Sequence, residues 1–342
     1  MSANSGSSSS IRISFDDLYN EFYRILIKNG FTESKAETVA KIFTENSLDG
    51  VYTHGVNRFP RFIKYIREKV VDVNAEPEKK NSAGAIEQWN GNYGPGILNA
   101  LKSTDRAMEL AKEYGIGCVA LAYTNHWMRG GTYGWRAAKQ GFAFIGWTNT
   151  LGNMPAWGAT DSRLGNNPFV LGLPYNNEAI VLDMAMSLFS YGKMEAAVLK
   201  GQKLSFPGGY NKDGKLTDEP SEILETWRSL PMGYWKGAGL ALLLDLLATV
   251  LSAGIPTYEI DKYEYERGLS QIFIALDLAR LGEHSIISKT VNNIIDDYHA
   301  SVPETESTEI LYPGERVLRS RKENSVNGIP VNTSVWDEIK GL

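Results

Sequence analysis

Two short stretches of the sequence combine histidine, arginine and glycine in patterns that suit chemistry on a small anionic molecule. In residues 53–58, Arg58 follows His54 by four positions, and in residues 125–131, His126 and Arg129 precede two consecutive glycines. An imidazole exchanges a proton near neutral pH, and a guanidinium binds a carboxylate through two parallel hydrogen bonds. Glycine lets a ligand approach the backbone closely. The residue types therefore permit proton transfer beside a carboxylate, but by themselves they leave the chemistry unspecified.

Each of these residues also has a plain structural interpretation. His54 could cap or pack within a turn, and Arg58 could form a surface ion pair. If residues 54–58 are helical, the two side chains share a face. The glycine pair at 130–131 could be a simple turn beside a core tryptophan, Trp127.

Three further residues have both a nucleotide-binding and a structural interpretation. Asp183 ends an apolar strand, where a carboxylate meets a ribose hydroxyl, orients a histidine or caps the next segment. Lys236 opens an apolar helix, and helix N-termini bind phosphate. Trp235 could stack on a flat ring or cover the core.

The usual dinucleotide fingerprint is missing. Residues 115–120 match Gly-x-Gly-x-x-Ala, but a helix precedes them and a strand follows, which is the reverse of the required order. A helix C-cap followed by a tight turn explains them better. The histidines have no metal-ligand spacing, and Cys118 is the one cysteine, so neither a metal site nor an intramolecular disulfide is expected.

Composition narrows the class of protein. The 342 residues carry a net charge of −5 and 43% hydrophobic side chains, which is ordinary for a globular protein without a nucleic-acid surface. Residues 1–10 have the composition of a disordered leader. The apolar run at residues 240–251 contains Asp245 and is short for a membrane span, so it predicts a buried core helix.

Hydrophobic periodicity predicts the elements that position these residues. Two helices follow Ser14 and Thr32, and a third begins near Pro60. Strands alternate with helices from there onward, which predicts an α/β architecture. Predicted loops or connectors cover residues 70–82, 203–221, 301–308 and the segment around 314–316.

Three longer motifs resemble the malate/L-lactate dehydrogenase family. They are Thr-His-Gly-Val-Asn-Arg at 53–58, Asn-His-Trp-Met-Arg-Gly-Gly at 125–131 and Leu-Pro-Met-Gly-Tyr-Trp-Lys-Gly at 230–237. The similarity runs from about Ile13 to the C-terminus. A narrower match, to members that act on a small sugar-derived 2-keto acid, rests on residues 58–63, 84–89, 189–192 and 270–275.

The resemblance implies an α/β fold with a mixed sheet and flanking helices that is not a Rossmann fold. It also implies NADH as cofactor, with NADP left open, and a cytoplasmic homodimer whose sites lie near the subunit boundary. No nucleic acid or membrane partner is expected. His54 would donate the proton, and the other implied catalytic residues are Arg58, His126 and Asp183. The implied cofactor-binding residues are Ala179, Ile180, Val181, Leu182, Asp183, Met184, Ala185, Trp235, Lys236, Gly314, Glu315 and Arg316.

The expected organisation is a helical segment at 11–80 that packs with residues 300–342, and an α/β cofactor-binding and catalytic region at 81–299. The expected reaction is reduction of a sugar-derived 2-keto acid. Another 2-keto acid of the malate or lactate type is the first alternative, and a binding protein without catalysis is the second. One departure is notable: Asn166 stands where relatives commonly have threonine, in Gly-Asn-Asn-Pro at 165–168.

Overall fold

A computed structural model describes residues 10–342 of the polypeptide. Over this range the chain forms a terminal unit, residues 10–74 with 297–342, and a central unit, residues 75–296. The leader expected at residues 1–10 lies outside the described residues except for Ser10, which begins the first strand.

The described helices are α1 Phe15–Lys28, α2 Glu33–Leu48, α3 Phe59–Arg67, α4 Gly96–Tyr114, α5 Gly131–Ala138, α6 Tyr191–Leu199, α7 Pro220–Thr226, α8 Trp235–Ser252, α9 Thr257–Ile260, α10 His284–His299, α11 Glu315–Asn327 and α12 Thr333–Lys340. The described strands are β1 Ser10–Ile13, β2 Glu78–Ala83, β3 Ile86–Asn90, β4 Ile116–Thr124, β5 Phe142–Thr148, β6 Gly152–Pro155, β7 Ser162–Gly165, β8 Phe169–Tyr175, β9 Glu178–Met184, β10 Gly209–Tyr210, β11 Leu216–Thr217, β12 Leu269–Asp277 and β13 Ile329–Asn332.

The terminal unit is held together by an aromatic core. Phe22 of α1 stacks on Phe59 of α3 at 4.0 Å, and Phe43 of α2 meets Phe59 edge to face at 5.1 Å. Both ends of the chain join here, because β1 pairs antiparallel with β13. Arg321 of α11 also forms a two-pronged ion pair with the buried Asp49. As predicted, Ser14 caps α1 by accepting the Asp17 amide.

The central unit is built on a seven-stranded sheet with the order β2-β3-β4-β12-β5-β8-β9. Only β3 and β4 run parallel, so the sheet is mixed, as expected. Strand β4 is buried on both faces and reads as a continuous apolar run for that reason. Cys118 and Ala120 face α8, while Gly117 lies against α4.

The misleading Gly-x-Gly-x-x-Ala string has the structural role that its context predicts. Gly115 is the left-handed C-cap of α4, with φ 86°, and β4 starts at the next residue. A Cβ on Gly117 would lie 2.1 Å from the Ala107 carbonyl oxygen, so this glycine allows α4 to approach the sheet.

Several predicted loops are partly wrong. The connector at 70–82 contains most of β2, a fully exposed edge strand without a hydrophobic pattern. The exposed excursion at 203–221 contains the short β10–β11 hairpin and the start of α7. The loop around 314–316 is instead the beginning of α11, which, like α6, was not predicted.

Helix α8 is not the buried core helix that its composition predicts. Its small residues and Leu244 pack on the sheet, whereas Leu243 is 54% and Val250 72% exposed. The outward face carries Leu242, Leu243, Leu246, Leu247 and Val250. By length and composition alone this helix could also cross a membrane, and 33% of it is buried.

A buried ion pair joins β3 to α4. The Glu87 side chain is 1% exposed and accepts hydrogen bonds from Arg106 at 2.9 and 3.1 Å and from the Trp89 indole at 2.9 Å. Burial alone would raise the pKa of Glu87, but the hydrogen bonds from Arg106 and Trp89 hold it below its ordinary value. Glu87 thus stabilises the fold only in its ionised form.

We expect Glu87→Gln to lower the free energy of unfolding by about 2–3 kcal/mol at neutral pH, because it leaves Arg106 without its buried partner. Since the folded-state pKa of Glu87 is lowered, this contribution is present above the ordinary carboxyl pKa and is lost as the pH falls through the lowered value. Urea unfolding at neutral and acidic pH should therefore show a difference between variant and wild type that shrinks in acid.

Glu109→Gln provides the matched control. Glu109 binds the same Arg106 at 2.8 Å, but its side chain is 61% exposed, so little change in stability is expected. Equal losses from the two substitutions would contradict this account of the buried pair.

Candidate active site

The His126 segment, residues 125–131, directly follows β4. Hydrogen bonds with several other parts of the central unit hold it in place. The Asn125 amide donates to the carbonyl oxygens of Tyr93 and Gly94. Gln271 of β12 donates to the Asn125 carbonyl oxygen. A Cβ on Gly96 would lie 2.2 Å from that same oxygen, so only glycine fits there. The segment is therefore rigidly placed at the end of two neighbouring strands.

Within this segment a backbone amide binds Nδ1 of the His126 imidazole. The Met128 amide donates to His126 Nδ1 at 2.9 Å. Trp127 is buried beneath the turn, where its carbonyl oxygen accepts a 2.7 Å hydrogen bond from the Tyr133 hydroxyl. Arg129 is also buried, with 5% of its surface exposed. His126 itself is half-buried.

Asp183 of β9 is brought to the beginning of α5. Its Oδ2 accepts the Gly131 amide at 2.7 Å, so it caps a helix that has no side-chain cap of its own. Burial raises the pKa of Asp183, while the Gly131 amide and the charge of Arg129 oppose that rise. The residue as a whole is exposed, because it lies on the edge strand β9 rather than in the core.

The predicted cofactor segment at residues 179–185 is the edge strand β9 and its continuation. Among the described residues, β9 pairs with β8 alone, so its other edge presents backbone N–H and C=O groups. After the strand, the Met232 amide donates to the Met186 carbonyl oxygen and the Leu188 amide to that of Leu230. The chain following Ala185 is thereby tied to the segment that leads into α8.

Trp235 and Lys236 lie in the first turn of α8, as predicted. No side chain caps this helix, Trp235 is 63% exposed, and the Lys236 ammonium lies 6.0 Å from the centre of its ring. The turn depends on Gly237, where a Cβ would come within 2.1 Å of the Met232 carbonyl oxygen. An uncapped helix N-terminus with an adjacent lysine is suited to an anion.

Asn166, which stands where relatives commonly have threonine, takes part in a network of hydrogen bonds. Its side-chain oxygen accepts hydrogen bonds from Thr150 and Asn153, and Asn167 donates to the Ala241 carbonyl oxygen of α8. Ordinary hydrogen bonds therefore accommodate asparagine at position 166.

In the terminal unit, His54 ends a 3-10 turn that follows α2. The Asn46 side chain donates to the His54 carbonyl oxygen, and the Thr53 hydroxyl lies 3.4 Å from Nδ1. Residues 54–58 are not one helix, because residues 55–58 form a turn and Arg58 is the N-cap of α3. The assumption that His54 and Arg58 share a helical face is therefore wrong.

Gly314, Glu315 and Arg316 also belong to the terminal unit. Gly314 is the left-handed N-cap of α11, with φ 98°, rather than part of a late loop. Glu315 is engaged by His299 at 3.0 Å and by Arg319 at 3.0 Å. Hydrogen bonds from these two partners lower the pKa of Glu315 although burial alone would raise it.

The structure therefore groups some predicted residues directly. Asp183 meets the His126 segment, and β9 is linked to Trp235 and Lys236 through the backbone. His54, Arg58 and residues 314–316 lie in the terminal unit. The sequence did not reveal the roles of the Gly131 amide and of Gly237. The glycine pair at 130–131 and the Trp-Lys-Gly string at 235–237 are the sequence signals that could have pointed to them. Within residues 10–342, no group of His, Cys, Asp and Glu could hold a metal ion.

The central unit fits a nicotinamide dinucleotide. A strand edge offers paired donors and acceptors, an exposed indole offers a stacking surface, and an uncapped helix with a lysine suits a phosphate. Asp183 adds an acceptor for a hydroxyl group.

Comparison with known proteins agrees with the geometry. The profile of the malate/L-lactate dehydrogenase family matches residues 13–340. The chain is 42% identical over 333 residues to 2,3-diketo-L-gulonate reductase of Citrobacter koseri, covering 97% of this chain and 100% of the relative.

Solved structures share the fold. Malate dehydrogenase of Entamoeba histolytica superposes with a TM-score of 0.92 at 24% identity, with 97% of each chain covered. Sulfolactate dehydrogenase of Methanocaldococcus jannaschii superposes with a TM-score of 0.88 at 27% identity, with 97% and 96% covered. The α/β fold with its mixed sheet is thus confirmed, and the chain belongs to the malate/L-lactate dehydrogenase family.

Proposed function

We propose that this chain reduces 2,3-diketo-L-gulonate to 3-keto-L-gulonate (3-dehydro-L-gulonate) with NADH. The observation that carries the proposal is the 42% identity to a 2,3-diketo-L-gulonate reductase, which extends over the whole of that relative. A second such reductase, from Pasteurella multocida, is 41% identical over the same length. Another 2-keto acid, of the malate or lactate type, is the alternative substrate.

Each proposed catalytic residue has its own role in the reduction. When bound, NADH supplies the hydride that adds to the carbonyl carbon. His54 donates the proton that the carbonyl oxygen takes up, and Arg58 binds the substrate carboxylate. His126 hydrogen-bonds the substrate. The rigid backbone around Asn125 supports this role, because a positioning group must itself be fixed.

The cofactor is held by β9 with Ala185, by Trp235 and Lys236, and by residues 314–316. Lys236 and the α8 N-terminus suit the pyrophosphate, and the edge of β9 suits the nicotinamide carboxamide. Asp183 holds the Gly131 amide with one oxygen and offers its exposed surface to a hydroxyl group. A carboxylate near the ribose favours NADH over NADPH, which remains the alternative cofactor.

The active form is a homodimer in the cytoplasm, with the outward face of α8 as its interface. This face repeats leucine at positions 242, 243, 246 and 247, a helical stripe typical of packing against another surface. Large exposed apolar patches mark such contacts. The single cysteine, Cys118, is buried and suits a reducing compartment.

The substrate is tested by initial rates with NADH on a panel containing 2,3-diketo-L-gulonate, oxaloacetate and pyruvate. We expect the highest kcat/KM for 2,3-diketo-L-gulonate, because differential binding of the transition state sets specificity. Repeating the best reaction with NADPH ranks the cofactors. A wide preference for oxaloacetate or pyruvate would reject the proposed substrate and favour the alternative.

His54→Ala should lower kcat by roughly 100- to 10,000-fold, the usual effect of removing a general acid. NADH binding, followed by fluorescence titration, should change little. His284→Ala is the control, since His284 is an exposed histidine outside the proposed site. Equal turnover in His54→Ala and wild type would remove the assigned role, and an inactive wild type would favour a binding protein.

The dimer is tested by sedimentation and circular dichroism of Leu243→Glu/Leu246→Glu. Two carboxylates on the α8 face should convert the dimer to a monomer without loss of helix, because charge is costly at the core of an interface. Val326→Glu, at a position 79% exposed on α11, should leave the mass unchanged. A wild-type monomer would refute the proposed assembly.

A further inference from the structure

We propose that His126 acts as a neutral hydrogen-bond donor through Nε2 and is not a source of the proton. This inference deepens the proposed keto-acid reduction and rests on it. It assigns different states to the two histidines of the reaction: His54 gives up a proton, whereas His126 keeps the same proton throughout.

The tautomer follows from one hydrogen bond. The Met128 backbone amide lies 2.9 Å from His126 Nδ1. An N–H group can only donate, so Nδ1 must present its lone pair, and the ring proton of a neutral imidazole then resides on Nε2. In an imidazolium both nitrogens carry protons, and the Met128 amide would face another N–H group. The contact therefore favours the neutral ring.

The backbone, rather than solvent, sets this contact. Met128 is 5% exposed and adopts a left-handed conformation with φ 65°, which is uncommon for a residue with a long side chain. Below it, Trp127 is buried and its carbonyl oxygen is held by the Tyr133 hydroxyl. Several neighbouring contacts thus fix the turn that directs the Met128 amide toward the imidazole.

His126 is also the most solvent-accessible residue of this segment. Within residues 124–131 every other residue is buried, while His126 is half-buried. A ligand that reaches the segment meets the imidazole first, and the Nδ1 edge is already turned toward the protein. The inference assigns the ligand to the Nε2 edge because that edge carries the ring proton.

The charged groups that neighbouring elements bring to the segment support a neutral ring. Arg129 on the same segment is a buried cation whose charge acts on Asp183. Asp183 of β9 already holds the Gly131 amide and faces Arg129. Tyr133 of α5 is fully buried, and burial raises its pKa, so it stays neutral.

A matched pair of substitutions separates donation from mere support of the turn. In His126→Asn, the side-chain oxygen takes the place of Nδ1 and can accept the Met128 amide, but nothing replaces Nε2. In His126→Gln, the longer side chain carries an amide donor to the place of Nε2 but leaves Nδ1 without a substitute. The two variants thus keep opposite halves of the imidazole.

We expect His126→Asn to lose about 100-fold in kcat/KM and His126→Gln to stay within about tenfold of wild type, from the loss or retention of a substrate hydrogen bond. His126→Asn should also melt closer to wild type. The reverse order of activities would show that His126 only supports the turn and would overturn the inference. The pH dependence of the reduction should persist in His126→Gln and disappear in His54→Gln.

The tautomer is measured directly by nitrogen NMR of protein labelled at histidine, with the His126 signals assigned by their absence in His126→Gln. We expect a protonated Nε2 and an unprotonated Nδ1 throughout the neutral pH range. A protonated Nδ1 would overturn the inference whatever the activity. A wild type that reduces no keto acid would instead refute the proposed function, and the NMR spectrum would still decide the state of His126.

Discussion

The hydrogen bond from the Gly131 amide to the Asp183 carboxylate connects the two parts of the candidate site in the central unit. It spans 52 positions of sequence and joins the edge strand β9 to the first turn of α5. Because α5 has no side-chain cap, the carboxylate also balances the positive end of the helix. A Cβ at residue 131 would lie 3.0 Å from the same carboxylate oxygen, so glycine gives this contact room. The His126 segment and β9 consequently keep a fixed relation.

The central unit offers the groups that a dinucleotide needs without the glycine-rich turn of the Rossmann fold. In that fold one strand-turn-helix supplies both the close backbone approach and the helix N-terminus. Here the helix N-terminus belongs to α8, and the close packing of Gly237 against the Met232 carbonyl oxygen shapes its first turn. Strand β9 reaches the same place through the Met186–Met232 hydrogen bond. In the proposed site, the groups that bind the cofactor would therefore come from segments that are distant in sequence.

The sequence predicts most of the fold where hydrophobic pattern decides it. The capped helix after Ser14 and strands such as β5 and β12 follow from periodicity and buried apolar runs. Strand β2 could not be predicted in this way, since all its residues are exposed and it exists through pairing with β3. Helix α11 is strongly polar and is fixed by long-range contacts such as Arg321 with Asp49, which no local pattern reveals.

In the candidate site, too, the sequence predicts some features but not others. The chemical types at His126, Asp183 and Lys236 are visible in the sequence, and the family resemblance directs attention to them. Their partners are not visible, because the Met128 amide acts through a left-handed backbone and the Gly131 amide through a contact between distant segments. Residue type therefore predicts which chemistry is available, whereas the protonation state of His126 requires the fold.

Helix α8 shows why a uniformly apolar segment is ambiguous from sequence. Its inward face consists mainly of small residues, Gly237, Ala238, Ala241 and Ala248, which let the helix lie close to the sheet. Four leucines, at positions 242, 243, 246 and 247, point the other way and are about half exposed. A lone soluble chain would gain by the opposite arrangement, because exposed leucines favour association. In the proposed homodimer this face of α8 would be covered, and the same helix presents its N-terminus to the proposed cofactor. Assembly and cofactor binding would then depend on the placement of one helix.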